Sequence, residues 1–144
     1  KAGSRAMLPL DDELARKQVE EIDAKVLSNR KPPYSLVGGL YDALVDTKGD
    51  ILLADNFEAQ SAATMFELLE GIDIHPAAAV ATASLIKAIA EGSIDPNAVI
   101  MLNITGGGEK RFKSNKDLYS LKPTVIFNIN PDTEEVKSKL RNLF

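Results

Sequence analysis

The sequence predicts an α/β fold, with an open, twisted, mainly parallel sheet forming a three-layer sandwich with flanking helices. Three observations carry that prediction. Stretches with apolar residues at three- and four-residue steps alternate with short, wholly apolar runs. The runs at 51–54, 99–104 and 124–129 lack a polar alternation, as strands covered on both faces do. At 144 residues and 44% hydrophobic content, the chain is long enough to bury a sizeable core as one compact domain. Three short strands make a thin sheet, so its completion by a partner or by further polypeptide is expected.

Each element has a local reason. From 11 to 27, Leu14, Ala15, Val19, Ile22, Val26 and Leu27 mark an amphipathic helix. Asp11, Asp12 and Glu13 suit its positive end, and Pro32 and Pro33 forbid its continuation. Residues 28–35 then form a loop or extended connection. A weaker helix is predicted over 36–46, where Leu40, Ala43 and Leu44 share a side, and residues 46–50 are turn-forming by composition. After the apolar run 51–54, Asp55 and Glu58 have the spacing of a capping box for a helix over 57–69, closed by Gly71. Pro76 opens the next helix at the position where its missing N–H costs nothing, and His75 precedes it as a cap or loop residue. That helix runs through residue 90, and Ala77, Ala78, Ala79, Ala81 and Ala83 allow another backbone to come close. The third apolar run, 124–129, leads to Asn130 as cap, Pro131 at the first helical position and a terminal helix to about residue 143.

Composition excludes several classes of function. The chain has 17 basic and 21 acidic side chains, a net charge of -4 and basic residues scattered along its length, so a nucleic acid partner is not expected. Without cysteine there are no disulfides, thiolate nucleophiles or cysteine-based metal sites, and with one histidine there is no His-rich one. No apolar run approaches the ~20 residues that span a bilayer. A cytoplasmic protein with no membrane partner is the expectation.

The richest segment for chemistry is the run 99–104 leading into Thr105, Gly106, Gly107 and Gly108, since ligands of open α/β sheets gather at the carboxyl ends of strands. Glycines there admit a ligand to backbone N–H groups, and Thr105 adds a hydroxyl that donates or accepts. The alternative is a strand-end turn without ligand. The pattern is neither a P-loop nor a dinucleotide fingerprint. Glu67, Glu70 and Asp73 read as a solvated acidic face, and Lys110, Arg111, Lys113 and Lys116 as an exposed basic loop or an anion site. Arg30, stiffened by Pro32 and Pro33, matches a substrate carboxylate or phosphate through its fork, or else lies in a surface connection.

Three of these segments together resemble fold type II pyridoxal-phosphate enzymes of the threonine synthase type. Residues 70–81, EGIDIHPAAAVA, look like that family's helix entry GI…EPSGAAALAAL, and 99–108 look like its apolar strand closing in Thr-Gly-x-Gly. Residues 29–42, NRKPPYSLVGGLYD, are more similar to the cysteate synthase branch. The likeness spans about 26–127. Gly107, Gly108, Glu109 and Lys110 stand where threonine synthases have His or Asn and then Leu-Lys-Asp, and Ala77 stands at the family's serine.

The resemblance implies that 1–144 is the C-terminal portion of the large, pyridoxal 5'-phosphate-binding domain, with the Schiff-base lysine upstream. It implies that Thr105 bonds the pyridine nitrogen of the cofactor and that Gly106 lines the site, with no catalytic residue and no metal ligand in this chain. The implied reaction is β-replacement, in which phosphoserine and sulfite give cysteate and phosphate on the way to coenzyme M. The implied partners are those small molecules and the N-terminal remainder of the same polypeptide, in a homo-oligomer. Threonine synthesis from phosphohomoserine, or a stand-alone anion-binding module, are the other readings.

Overall fold

A computed structural model describes residues 5–6, 9–29, 33–114 and 116–143. The chain divides into two compact units, Lys1–Ser114 and Asn115–Phe144.

In the first unit, α1 (Asp12–Glu21) starts where Asp11 accepts the N–H groups of Glu13 and Leu14. It stops earlier than its apolar spacing suggests. The Asn56 side chain donates to the Glu21 carbonyl at 2.7 Å and accepts the Asp23 N–H at 3.0 Å, so a distant residue satisfies the end of the helix. Lys25–Leu27 form only a 3-10 turn. The second predicted helix is α2 (Leu40–Thr47), ending on Lys48 in the left-handed region at φ 54°. Arg5 grips Asp42 on it through both guanidinium nitrogens and lies 5.3 Å from the Tyr41 ring centre.

The helices α3 (Asn56–Glu70) and α4 (Pro76–Ala90) form the heart of this unit and match the expected positions closely. The capping box is complete: Asp55 accepts the Glu58 N–H at 2.8 Å, and Glu58 accepts the Asp55 N–H at 2.9 Å. Gly71 closes α3 at φ 69°, a conformation that suits glycine. Small side chains let the two helices pack closely: Ala59, Ala78 and Ala79 form the core with Ile74, and Ala78 is fully buried. Ala63, Phe66, Val80 and Ile104 cover that cluster.

The expected sheet is not formed among the described residues. Residues 51–54, 99–104 and 124–129 are neither helix nor paired strand, and the one bridge found is antiparallel, between Ile74 and Gly107. A strand needs a neighbour for its N–H and C=O groups, and among the described residues these runs have no paired strand beside them. Several of their apolar side chains are correspondingly open to solvent: Val99 is 102% exposed, Met101 93% and Ile129 99%.

Two further expectations are corrected. The basic run after the glycines is a short helix, α5 (Glu109–Ser114), rather than a loop. In the second unit the terminal helix is α6 (Thr133–Arg141), capped by Asp132 rather than Asn130, because the Asp132 carboxylate accepts the Glu134 and Glu135 N–H groups at 3.1 and 3.3 Å. Lys139 of α6 lies 5.4 Å from the Phe127 ring centre in the same unit.

Candidate functional site

The glycine-rich tip is built from two segments far apart in sequence. From 101 to 108 exposure alternates with period two: Met101, Asn103, Thr105 and Gly107 are exposed, while Leu102, Ile104, Gly106 and Gly108 are half-buried. An extended backbone produces this alternation, with Ile104 turned to the α3–α4 core and Thr105 to the outside. No hydrogen bond or ion pair engages Thr105 among the described residues, which leaves its hydroxyl available to a ligand.

The entry to α4 holds the tip. The His75 N–H donates to the Gly106 carbonyl at 2.9 Å and the Gly108 N–H to the Asp73 carbonyl at 2.8 Å, on either side of the Ile74–Gly107 bridge. The approach is close: a Cβ on Gly107 would stand 2.3 Å from the Asp73 carbonyl oxygen and 3.1 Å from the Ile74 Cα. Gly107 thus serves contact within the chain, a use beyond the ligand access expected of the glycines. A Cβ on Gly106 would meet only the His75 ring, 2.8 Å from Nδ1. Gly108 turns the chain into α5 at φ 77°.

Charges around the tip are largely paired. The Asp73 carboxylate accepts the Glu109 N–H at 3.1 Å and the Lys110 N–H at 3.2 and 3.3 Å, capping α5 from 36 residues away. Lys110 reaches Glu67 on α3 at 2.6 and 2.8 Å, and that bond holds its ammonium above the usual lysine range. Glu109 contacts Lys113, whose hydrogen bond lowers the carboxyl below the usual range, and lies 3.4 Å from His75 Nε2. Glu67 and Asp73 are therefore engaged, not a freely solvated face. Lys110 and Lys113, read from the sequence as an exposed loop or an anion site, are helical and ion-paired. His75 occupies the N-cap position of α4, but its side chain makes no capping bond.

Thr105 and Gly106 are adjacent at this tip, while Arg30 lies outside the described residues. A separate cleft of about 290 Å³ between α3 and α4, lined by Phe57, Ser61, Met65 and Ile86 and edged by the Glu58–Lys87 pair, holds none of the expected site residues. Among the described residues no His, Cys, Asp and Glu side chains gather as metal ligands, and no helix is long and apolar enough to cross a membrane. Asp73 was the residue whose part at the tip sequence reading missed, because its partners lie far along the chain.

No family profile matches the chain. Curated relatives do. The cysteate synthase of Methanosarcina barkeri is 51% identical over 129 residues, covering 89% of this chain and 31% of the relative. That of Methanosarcina mazei is 52% identical over 126 residues, covering 87% and 30%. The cysteate synthase of Methanoregula boonei is 40% identical over 131 residues, covering 91% and 31%. Along nearly all of its length the chain is similar to cysteate synthases, and it spans about a third of the length of the curated relatives it matches.

Proposed function

We propose that the chain is the C-terminal portion of the pyridoxal-phosphate-binding domain of a cysteate synthase, which turns O-phospho-L-serine and sulfite into L-cysteate and phosphate for coenzyme M synthesis. The observation that carries this reading is the identity of 40–52% to cysteate synthases over most of the chain. At the tip, the residues fit the cofactor: an exposed hydroxyl without a partner among the described residues stands at the end of an extended segment, beside a glycine that leaves the approach open. Bound there, pyridoxal phosphate would supply the electron sink for replacement at the substrate's β-carbon. Thr105 would hold the ring through its nitrogen, with a neutral hydroxyl that, unlike a carboxylate, would not keep that nitrogen protonated. Gly106 keeps side-chain bulk out of the approach, and Arg30 binds a substrate anion.

In the whole protein the runs at 51–54, 99–104 and 124–129 are each strands of the open, mainly parallel sheet. The exposure of Val99, Met101 and Ile129 supports this reading, since solvated apolar strands call for cover. The cover is the remaining polypeptide, which also brings the Schiff-base lysine, so the isolated chain is inactive. Lys87 and Lys110 are held in ion pairs with Glu58 and Glu67 that raise them above the usual lysine range, an environment that keeps an amine charged rather than nucleophilic. The whole protein is a cytoplasmic homo-oligomer.

The test is an assay of the whole protein, loaded with pyridoxal phosphate, on two substrate pairs. Cysteate formation from phosphoserine and sulfite is expected. Threonine formation from phosphohomoserine and water instead would overturn the proposal.

A further inference from the structure

We infer that Asp73 is a positioning residue, setting the Thr105–Gly106 tip against the rigid entry of α4; the inference rests on the cofactor reading of that tip. Three consecutive residues hold the tip from one side. The Asp73 carbonyl takes the Gly108 N–H, the Ile74 side chain is buried in the α3–α4 core, and the His75 N–H takes the Gly106 carbonyl. The Asp73 carboxylate adds the N–H groups of Glu109 and Lys110.

An aspartate is needed there for a physical reason. The six-residue α5 is too short to hold itself together, and its first amides need an acceptor. The preceding residue, Gly108, has no side chain to offer one. Asp73 supplies the acceptor and also a negative charge at the positive end of the helix. It thereby fixes Gly108 at φ 77°, the turn through which the segment bearing Thr105 passes into α5. Because Ile74 is seated in the core, the tip is tied to the entry of α4 on one side, while Ile104, just before it, covers the same core. A group that orients a cofactor must be held by such support to within a fraction of an ångström.

The experiment uses the cofactor-loaded whole protein with Asp73→Ala, Asp73→Asn, Thr105→Val and the double variant Asp73→Ala/Thr105→Val. Losing charge-assisted bonds predicts that Asp73→Ala weakens cofactor binding about tenfold. Its absorbance band should move in the direction that Thr105→Val moves it. Asp73→Asn, which keeps one acceptor oxygen and guards against a folding defect in the alanine variant, should restore most of the affinity. The double variant should bind no worse than Thr105→Val, since one residue acts through the other. Hydrogen exchange of the peptide 108–113 should quicken about tenfold in Asp73→Ala, with or without cofactor. Additive losses in the double variant, or an unmoved band in Asp73→Ala where Thr105→Val moves it, would overturn the inference. A silent Thr105→Val overturns it together with the cofactor reading, and faster exchange in Asp73→Ala would then locate the failure in that reading rather than in the anchor.

Discussion

Replacing Gly107 with alanine should prise the glycine tip away from α4. The new Cβ would sit 2.3 Å from the Asp73 carbonyl oxygen, and both atoms belong to backbone, so neither can rotate aside. Carbon and oxygen in ordinary contact stand about 3.3 Å apart, so the two segments must part by about 1 Å. The bonds that flank the bridge, 2.9 Å from His75 to Gly106 and 2.8 Å from Gly108 to Asp73, would then exceed hydrogen-bonding range. At ~1 kcal/mol for each bond the loss is about 2 kcal/mol, within the usual cost of overpacking. That corresponds to an opening of the tip roughly 30-fold more frequent. Hydrogen exchange at the amides of His75 and Gly108 reads this directly. Gly106→Ala is the control: its Cβ meets only the His75 ring, a half-exposed side chain free to turn, so a change below about 0.5 kcal/mol is expected. Exchange at His75 and Gly108 altered less than about twofold by Gly107→Ala would refute the reasoning.

The capping box at α3 gives a second expectation: Asp55→Ala should cost about 1 kcal/mol, read as a lower denaturation midpoint, because the Glu58 amide loses its acceptor. The Glu58–Lys87 pair gives a third. The hydrogen bond from Lys87 lowers the Glu58 carboxyl from its ordinary 4.5, so the unfolded chain binds more protons on the acid side. Its stabilising effect is complete above that ordinary value and is lost as pH falls through the lowered one. Denaturation midpoints measured down the acid range should therefore flatten in Lys87→Met; an unchanged acid slope would contradict the assignment.

Local signals made α3 and α4 legible. Asp55 with Glu58, Gly71 and Pro76 mark their ends through contacts within a few residues, and those contacts form as expected. Boundaries set by distant partners were not legible. The early end of α1 follows from Asn56, 35 residues beyond Glu21, and α5 depends on Asp73, 36 residues before it. Asn130 and Asp132 offer similar caps, and the Asp132 carboxylate prevails by taking two amides. The apolar runs were recognisable as material for strands, but pairing requires a neighbour that local pattern does not supply. At the site, Thr105 is exposed at the end of an extended segment, whereas the part of Gly107 in backbone contact followed only from the fold.

The proposed bond between Thr105 and the cofactor ring is open to direct measurement. The whole protein loaded with pyridoxal phosphate labelled with nitrogen-15 in the ring would report it by magnetic resonance. The ring-nitrogen resonance is expected to shift clearly between the native protein and Thr105→Val. The same resonance in both proteins would contradict the placement of the cofactor at this tip.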